Sequence, residues 1–284
     1  MAGVTFSEKA LRLTVTLDKA GANNVYTLTG FATHVAISKQ GGVDFAKASV
    51  EVYGLSLDTM AQLTMLSFRP LGRRWNLLQV EAGEGGNYSV VFQGEVTNAY
   101  ADLNGACPVM KMEAQTGSYP VLQPEGQLVI SGQQSAAETV GMLAQKTGKT
   151  FRNDGVEATL SDCIITGDPI TKMRQIANSV GADLLIDDDE IVLLPRGKVR
   201  ETGGIPLVSA DTGMVGYPTF TQNGIQVVSY FRPDLRIGAA VRVESIVPSA
   251  SGTWKIVNLS HDLTAHKPGG GSWRTTFEGM WLDE

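Results

Sequence analysis

The segment Leu11-Arg12-Leu13-Thr14-Val15-Thr16-Leu17 places apolar and polar side chains in strict alternation. Successive side chains of a strand point to opposite faces, so this pattern buries one face and wets the other; a helix would scatter it around its axis. Further short β-type runs follow around Tyr26–Ser38, Ser49–Val52, Leu77–Glu81, Tyr88–Phe92 and Met110–Ala114. Gly41-Gly42, Gly83-Glu84-Gly85-Gly86-Asn87 and Asn104-Gly105 punctuate them as hairpin turns do. The supply of 32 glycines against 11 prolines suits many tight turns between short strands. Residues 1–131 therefore read as an N-terminal β domain. Within it Ser56–Leu66, with Met60, Leu63 and Met65, reads as a short helix or a loop.

The pattern changes over 132–202. Ser135-Ala136-Ala137-Glu138 is a capping box, in which the hydroxyl and the carboxylate each take an orphan amide of a first helical turn. Ala137, Val140, Leu143 and Ala144 follow at helical spacing, and Gly148 suits the left-handed position after a helix end. Asp168-Pro169 opens a second helix, since proline at the first helical position gives up an amide that has no partner there anyway. Ile170, Met173, Ile176, Ala177 and Val180 form its stripe, and Gly181 closes it. Cys163-Ile164-Ile165 between the helices is β-like, and Leu184-Leu185-Ile186 and Ile191-Val192-Leu193-Leu194 flank a turn. This is a small α+β module.

Residues 203–284 return to β, with runs at Ile225–Tyr230, Ala240–Ile246, Thr253–His261 and Arg274–Glu278. Pro233, Gly238, Ser251-Gly252 and Gly269-Gly270-Gly271 break them, as in a small antiparallel barrel or sandwich. The fold class is mainly β with an α+β insertion. At 43% hydrophobic and 18% charged, the chain buries a real core. Its formal charge of -6 gives no basic footprint for gripping a nucleic-acid backbone, although like charge suits a wall past which DNA slides. No apolar run is long enough to span a bilayer, and the first residues lack the basic and apolar blocks of a signal peptide. Cys107 and Cys163 lie far apart and read as two buried thiols of a protein made in a reducing cytosol.

Candidates for chemistry are few. The histidines are His34, His261 and His266. His261-Asp262 invites a base-and-orienter reading, but neighbours on a strand face opposite ways. His261 with His266 lacks the cysteines or carboxylates of a zinc site. Asp187-Asp188-Asp189-Glu190 has oxygen ligands for calcium or magnesium but neither the spacing nor the central glycine of a calcium loop; it reads as a solvated turn. Arg69-Pro70-Leu71-Gly72-Arg73-Arg74-Trp75 is a subunit contact or an exposed loop. Gly83-Glu84-Gly85-Gly86 and Gly269-Gly270-Gly271 lack the context of a phosphate cradle and read as turns. Trp254, Trp273 and Trp281 read as packing anchors, and the tail Phe277–Leu282 either docks on a neighbour or buries in its own domain. No residue emerges as catalytic, cofactor-binding or metal-ligating.

Three patterns, in order along the chain, carry a family resemblance. The first is Val50-Glu51-Val52-Tyr53-Gly54-Leu55 with Leu63-Thr64 downstream. The second is Val80-Glu81-Ala82-Gly83, then Val91-Phe92-Gln93-Gly94-Glu95-Val96 and Ala99. The third is Tyr230-Phe231-Arg232-Pro233-Asp234-Leu235-Arg236-Ile237-Gly238 with Val241-Arg242-Val243, continuing through Gly252-Thr253-Trp254-Lys255-Ile256-Val257, His261 and Trp273-Arg274-Thr275. Together they resemble the baseplate hub family of contractile-tailed phages and related injection machines. The resemblance implies a non-enzymatic homotrimer whose subunits each supply two tube-like antiparallel β-barrels, so that three imitate a six-fold ring. It implies as partners the tail tube or a tube-initiator protein, the central spike and other baseplate subunits, with DNA passing only through the lumen and no membrane insertion. The place implied is the virion tail baseplate, after assembly in the host cytoplasm. A tube-initiating, wedge or glycan-binding β module is the alternative.

Overall fold

The computed structural model describes residues 8–19, 22–41, 45–64, 76–118 and 126–282. In chain order the elements are β1 (Lys9–Lys19), β2 (Ala22–Thr29), β3 (Thr33–Gln40), β4 (Lys47–Tyr53), α1 (Leu57–Leu63), β5 (Leu77–Glu84), β6 (Asn87–Asp102) and β7 (Val109–Gln115). There follow β8 (Leu128–Ser135), α2 (Ala136–Lys146), β9 (Thr150–Asn153), β10 (Thr159–Ile165), α3 (Pro169–Ser179), β11 (Ala182–Asp187) and β12 (Glu190–Pro195). The last are β13 (Leu207–Val208), β14 (Thr219–Phe220), β15 (Gly224–Tyr230), β16 (Ala240–Val243), β17 (Gly252–Ala265) and β18 (Trp273–Trp281). The chain is mostly β, with large antiparallel sheets and a helical insertion.

Two compact units interleave along the sequence. One holds Met1–Ile37, Lys47–Gln115 and His261–Arg274; the other holds Ser38–Ala46, Thr116–Ser260 and Thr275–Glu284. In the first unit the strands are ordered β2-β1-β5-β6-β7-β4-β3. The alternation read at Leu11–Leu17 sets its register: Leu13 lies opposite Leu28 on one side and Val80 on the other, and all three are buried. Val80 in turn faces Phe92, and Val50 faces Met112, so one face of the sheet is continuously apolar. The run around Tyr26–Ser38 is two strands, because Gly30 at φ 75° turns the chain between β2 and β3. The Gly83–Asn87 segment is a two-residue hairpin with Gly85 and Gly86 at φ 59° and 88°, the positive pair that matches strand twist. Ser56–Leu66 gives α1, capped by Ser56 Oγ accepting from the Thr59 amide at 3.2 Å; residues 65 and 66 lie outside the described residues.

In the second unit the α+β part forms as its capping signals dictate. Ser135 Oγ accepts from the Glu138 amide and Asp168 Oδ1 from the Thr171 amide, while Gly148 and Gly181 take φ 72° and 67° after the helix ends. Helices α2 and α3 bury Val140, Leu143, Ile170, Met173 and Ile176 against Ile186, Ile191 and Leu193 of the β11–β12 hairpin. Sequence reading did not find β8 and β9. The first pairs antiparallel with β10, and the second adds a parallel strand to β12.

The β part of the same unit runs β14-β15-β18-β17, with β16 on β17 and β13 parallel to β16. Its core is Val208, Ile225, Val227, Ile237, Val241, Trp254, Ile256 and Phe277. Strand β16 is shorter than the Ala240–Ile246 run that announced it, and Ile246 is exposed beyond its end. Among the described residues no helix is long and apolar enough to cross a membrane.

Candidate functional site

The acidic run Asp187–Glu190 departs most from expectation. The turn is present: Asp187 faces Glu190 across the β11–β12 hairpin, and Asp188 takes φ 51°, a left-handed value that Asp tolerates better than most residues. The solvation is not. The side chains of Asp187 and Asp188 are only 1% and 6% exposed. Lys39 Nζ, itself buried, donates to Asp187 Oδ1 at 2.8 Å and to Asp188 Oδ2 at 2.7 Å. Arg200 donates through Nη1 to Asp187 Oδ2 at 2.6 Å and through Nη2 to Glu190. Arg236 Nη1 stands 3.7 Å from Asp187 and 3.6 Å from Asp188. The solvated-turn reading fails because the counter-ions come from distant stretches of chain that no local pattern connects to the hairpin.

Each cation is placed by the backbone that carries it. Strand β3 buries alternate residues, Val35, Ile37 and Lys39, so its period-two pattern delivers a lysine to an inward position. That was the legible signal: an ammonium on a buried face must find carboxylates. The Arg200 amide donates to the Gly238 carbonyl at 2.8 Å, which fixes its side chain beside the loop that holds Arg236. Gly238 sits at φ 78°, and a Cβ there would meet Leu185 Cδ1 at 2.3 Å, so the left-handed backbone and the close approach both favour glycine where this loop lies on the hairpin. Leu185, Val192 and Leu194 make a separate small apolar cluster on the hairpin face away from the helices. Lys149 Nζ donates to the Asp188 carbonyl at 2.7 Å and anchors the turn itself.

The cluster balances Lys39, Arg200 and Arg236 against Asp187, Asp188 and Glu190. Burial pushes the Asp187 carboxyl up, but Lys39 and Arg200 outweigh it and hold the group well below the usual carboxylate range. Burial likewise pulls Lys39 and Arg200 down, and the facing carboxylates more than restore them, so both lie above their ordinary values. Carboxylates saturated in this way are poor bases and poor cation ligands. Their effect is to fix the hairpin against the Lys39 segment and the Arg236–Gly238 loop of the same unit.

The histidines separate. His34 Nε2 lies 2.8 Å from Asp262 Oδ1, both partly exposed, while His261 is buried on the opposite face of β17, as alternation requires. His266, at φ 53°, has its Nδ1 3.7 Å from Glu8. No group of three or more His, Cys, Asp or Glu is arranged to hold a metal ion among the described residues. Gly269 and Gly270 form a turn between β17 and β18, with the Gly270 amide donating to the Lys267 carbonyl. Trp254 and Trp273 are buried anchors; Trp281 is half exposed and meets Trp254 edge-on at 4.9 Å. The tail thus divides, with Phe277 in the core and Met280 and Trp281 at the surface. Cys163 is half-buried, but Cys107 is exposed, because it falls in the irregular link between β6 and β7 rather than on a strand. The Arg69–Trp75 patch lies outside the described residues.

Two kinds of surface remain open. In the first unit β2 ends the strand order and, among the described residues, is paired only by β1. In the second unit Val129 and Ile164 face each other across β8 and β10 with most of their surface in solvent. On the β part Tyr217, Phe220 and Tyr230 are similarly exposed around β14 and β15.

The sequence profile of the baseplate hub gp41 family matches residues 10–269. No curated protein matches the chain. Among solved structures it is similar to the 43 kDa tail protein of prophage MuSo2 from Shewanella oneidensis, with a TM-score of 0.64 at 10% identity over 95% of this chain and 96% of the other. It is similar to the same degree to a tail protein from Neisseria meningitidis MC58, with a TM-score of 0.64 at 10% identity over 96% of each chain. The E. coli c3393 protein, a component of the type VI secretion system, superposes with a TM-score of 0.60 at 9% identity over 95% of this chain and 77% of its own. At such identities these likenesses speak for the fold.

Proposed function

The chain belongs to the baseplate hub gp41 family, and on that premise we propose that it is a non-enzymatic hub subunit, three copies of which close a pseudo-six-fold ring between the tail tube and the central spike. Family membership gives it a structural role at the phage tail. The ring, its stoichiometry and its partners are the further step. Segments 1–131 and 203–284 supply the two tube-like antiparallel barrels of each subunit, and 132–202 lies at the periphery. The observation that carries this reading is the family match over nearly the whole chain, residues 10–269. Open strand borders support it: β2 is hydrogen-bonded on one side only among the described residues, and an unpaired edge is a template for another chain. A formal charge of -6 lets DNA pass through the lumen without adhering. Assembly takes place in the host cytoplasm, and the subunit ends in the tail baseplate with tube-initiator and other baseplate proteins as neighbours.

The test is to mix the purified chain with its cognate tube and spike proteins, measure mass by light scattering and image by negative stain. Three-fold rings containing this chain are the expected result. A chain that stays monomeric with both partners and instead binds sugar refutes the hub reading and favours a surface glycan-binding module.

A further inference from the structure

Asn-Gly occurs twice in the chain, at Asn104-Gly105 and at Asn223-Gly224. Such a pair is open to a reaction of its own, in which the glycine amide nitrogen attacks the asparagine carboxamide carbon, because no Cβ hinders the approach. Asn104-Gly105 reads as a hairpin turn, yet neither residue takes the positive φ that a two-residue Asn-Gly turn demands. The β6–β7 ladder ends at Asp102 opposite Val109, and residues 103–108 form an irregular link that is exposed throughout. Asp102 Oδ1 accepts from the Asn104 backbone amide at 3.1 Å and from Asn104 Nδ2 at 3.2 Å, long bonds at the surface that water readily replaces. The Gly105 amide donates no hydrogen bond among the described residues.

The second pair is held. Gly224 begins β15 and lies so close to β18 that a Cβ would meet the Gly279 carbonyl oxygen at 2.1 Å. Its own carbonyl accepts from the Thr221 amide at 2.8 Å, and the Asn223 amide donates to Thr221 Oγ1 at 3.3 Å. The two pairs are chemically alike and differ in the freedom of the backbone that must rotate for the nitrogen to reach the side chain.

We propose that Asn104-Gly105 is a site of spontaneous deamidation and that Asn223-Gly224 is protected from it. The Gly105 nitrogen bonds to Asn104 Cγ, the Cγ–Nδ2 bond breaks, and Nδ2 leaves as ammonia with the proton that the Gly105 nitrogen gives up. Water then opens the cyclic imide at either carbonyl, which leaves aspartate or isoaspartate at position 104; nothing is oxidised or reduced. A carboxylate thereby replaces a neutral amide beside the Asp102–Lys111 ion pair, so a subunit gains a further negative charge at this link as it ages. Every group involved belongs to the first unit of a single chain.

The experiment keeps the full chain in warm, mildly alkaline buffer and follows the converted fraction at each position by tandem mass spectrometry. The free peptide acetyl-Leu-Asn-Gly-Ala-amide in the same buffer serves as the clock. Position 104 is expected to keep pace with the peptide and to convert about tenfold or more faster than position 223, since opening a paired and packed turn adds at least the roughly 1.4 kcal/mol that such a factor represents. Gly105→Ala, whose Cβ would meet nothing nearer than the Cys107 carbonyl oxygen at 3.7 Å, should fold normally and convert several-fold more slowly, because the methyl crowds the attacking nitrogen. Position 104 staying intact while the peptide converts, equal rates at 104 and 223, or Gly105→Ala converting as fast as the parent would overturn the proposal. The first two comparisons use the unaltered chain and decide the matter whatever the variant does.

Discussion

Replacing Lys39 with Met asks whether the buried ion cluster behaves as its geometry dictates. Lys39 touches Asp187 and Asp188 at 2.8 and 2.7 Å, with all three side chains at most 6% exposed. At an effective dielectric of about 20, each contact is worth roughly 6 kcal/mol of attraction. Desolvating an ion costs several kcal/mol, so the intact cluster contributes little net stability. Removing one member is different, because Asp187 and Asp188 keep their desolvation cost and lose their closest cation. The expected loss is about 3–5 kcal/mol, a large share of the roughly 5–15 kcal/mol that holds a domain together. Urea unfolding gives the magnitude, and hydrogen exchange over β11 and β12 locates it. The paired variant Lys39→Met with Asp187→Leu leaves Asp188 and Glu190 facing Arg200 and Arg236, two charges of each sign. It should recover about half of the loss or more. A single variant that costs under about 1 kcal/mol, or a double variant as damaging as the sum of its singles, refutes the reasoning.

The same cluster predicts a flat pH profile. Asp187 is depressed when folded, so its contribution is fully present above the ordinary carboxylate range and fades only as pH falls through the folded value; Lys39 is raised, so its share fades only as pH rises past the ordinary lysine value. Melting temperature should therefore hold level across that interval, and a steep change near neutrality would contradict the assignment. At the β5–β6 hairpin, Gly83→Ala puts a Cβ 1.8 Å from the Asn87 carbonyl oxygen and should cost about 2 kcal/mol or more, whereas Gly86→Asn, in open space at φ 88°, should stay within about 0.5 kcal/mol in urea unfolding. Ser135→Ala and Asp168→Ala each remove a cap acceptor and should each cost about 1 kcal/mol, read as earlier loss of helical circular dichroism on heating.

Much of this fold was legible because its rules are local. The alternation at Leu11–Leu17 named its own buried face, and the caps at Ser135 and Asp168 started their helices at the residue expected. The strands that escaped are those whose identity depends on a neighbour. Strand β9, Thr150–Asn153, has few apolar residues and exists because β12 offers it a parallel edge. Strand β13 is two residues long and survives by pairing with β16. The acidic hairpin failed for the same reason in electrostatic form. Four acidic residues in a row describe a solvated turn until Lys39 and Arg200 arrive from elsewhere, and only the inward phase of β3 hinted that a lysine was on its way.

The hairpin β11–β12 is buried on both faces, which its unbroken runs Leu184–Ile186 and Ile191–Leu194 anticipate. One face joins the helices through a broad apolar core, while the other offers only Leu185, Val192 and Leu194. Three aliphatic residues bury area but set no direction, since apolar contact is nearly indifferent to sliding. The charges around them are directional. A slip of one residue along the hairpin would turn Asp187 away from Lys39 and Arg200 and strand buried ions on both sides, at a cost of several kcal/mol. The hydrogen bond from the Arg200 amide to the Gly238 carbonyl at 2.8 Å acts in the same sense, because a backbone hydrogen bond has a direction that apolar contact lacks. The α+β part is thus held to the β part of its unit less by how much surface they share than by how few ways that surface can be matched.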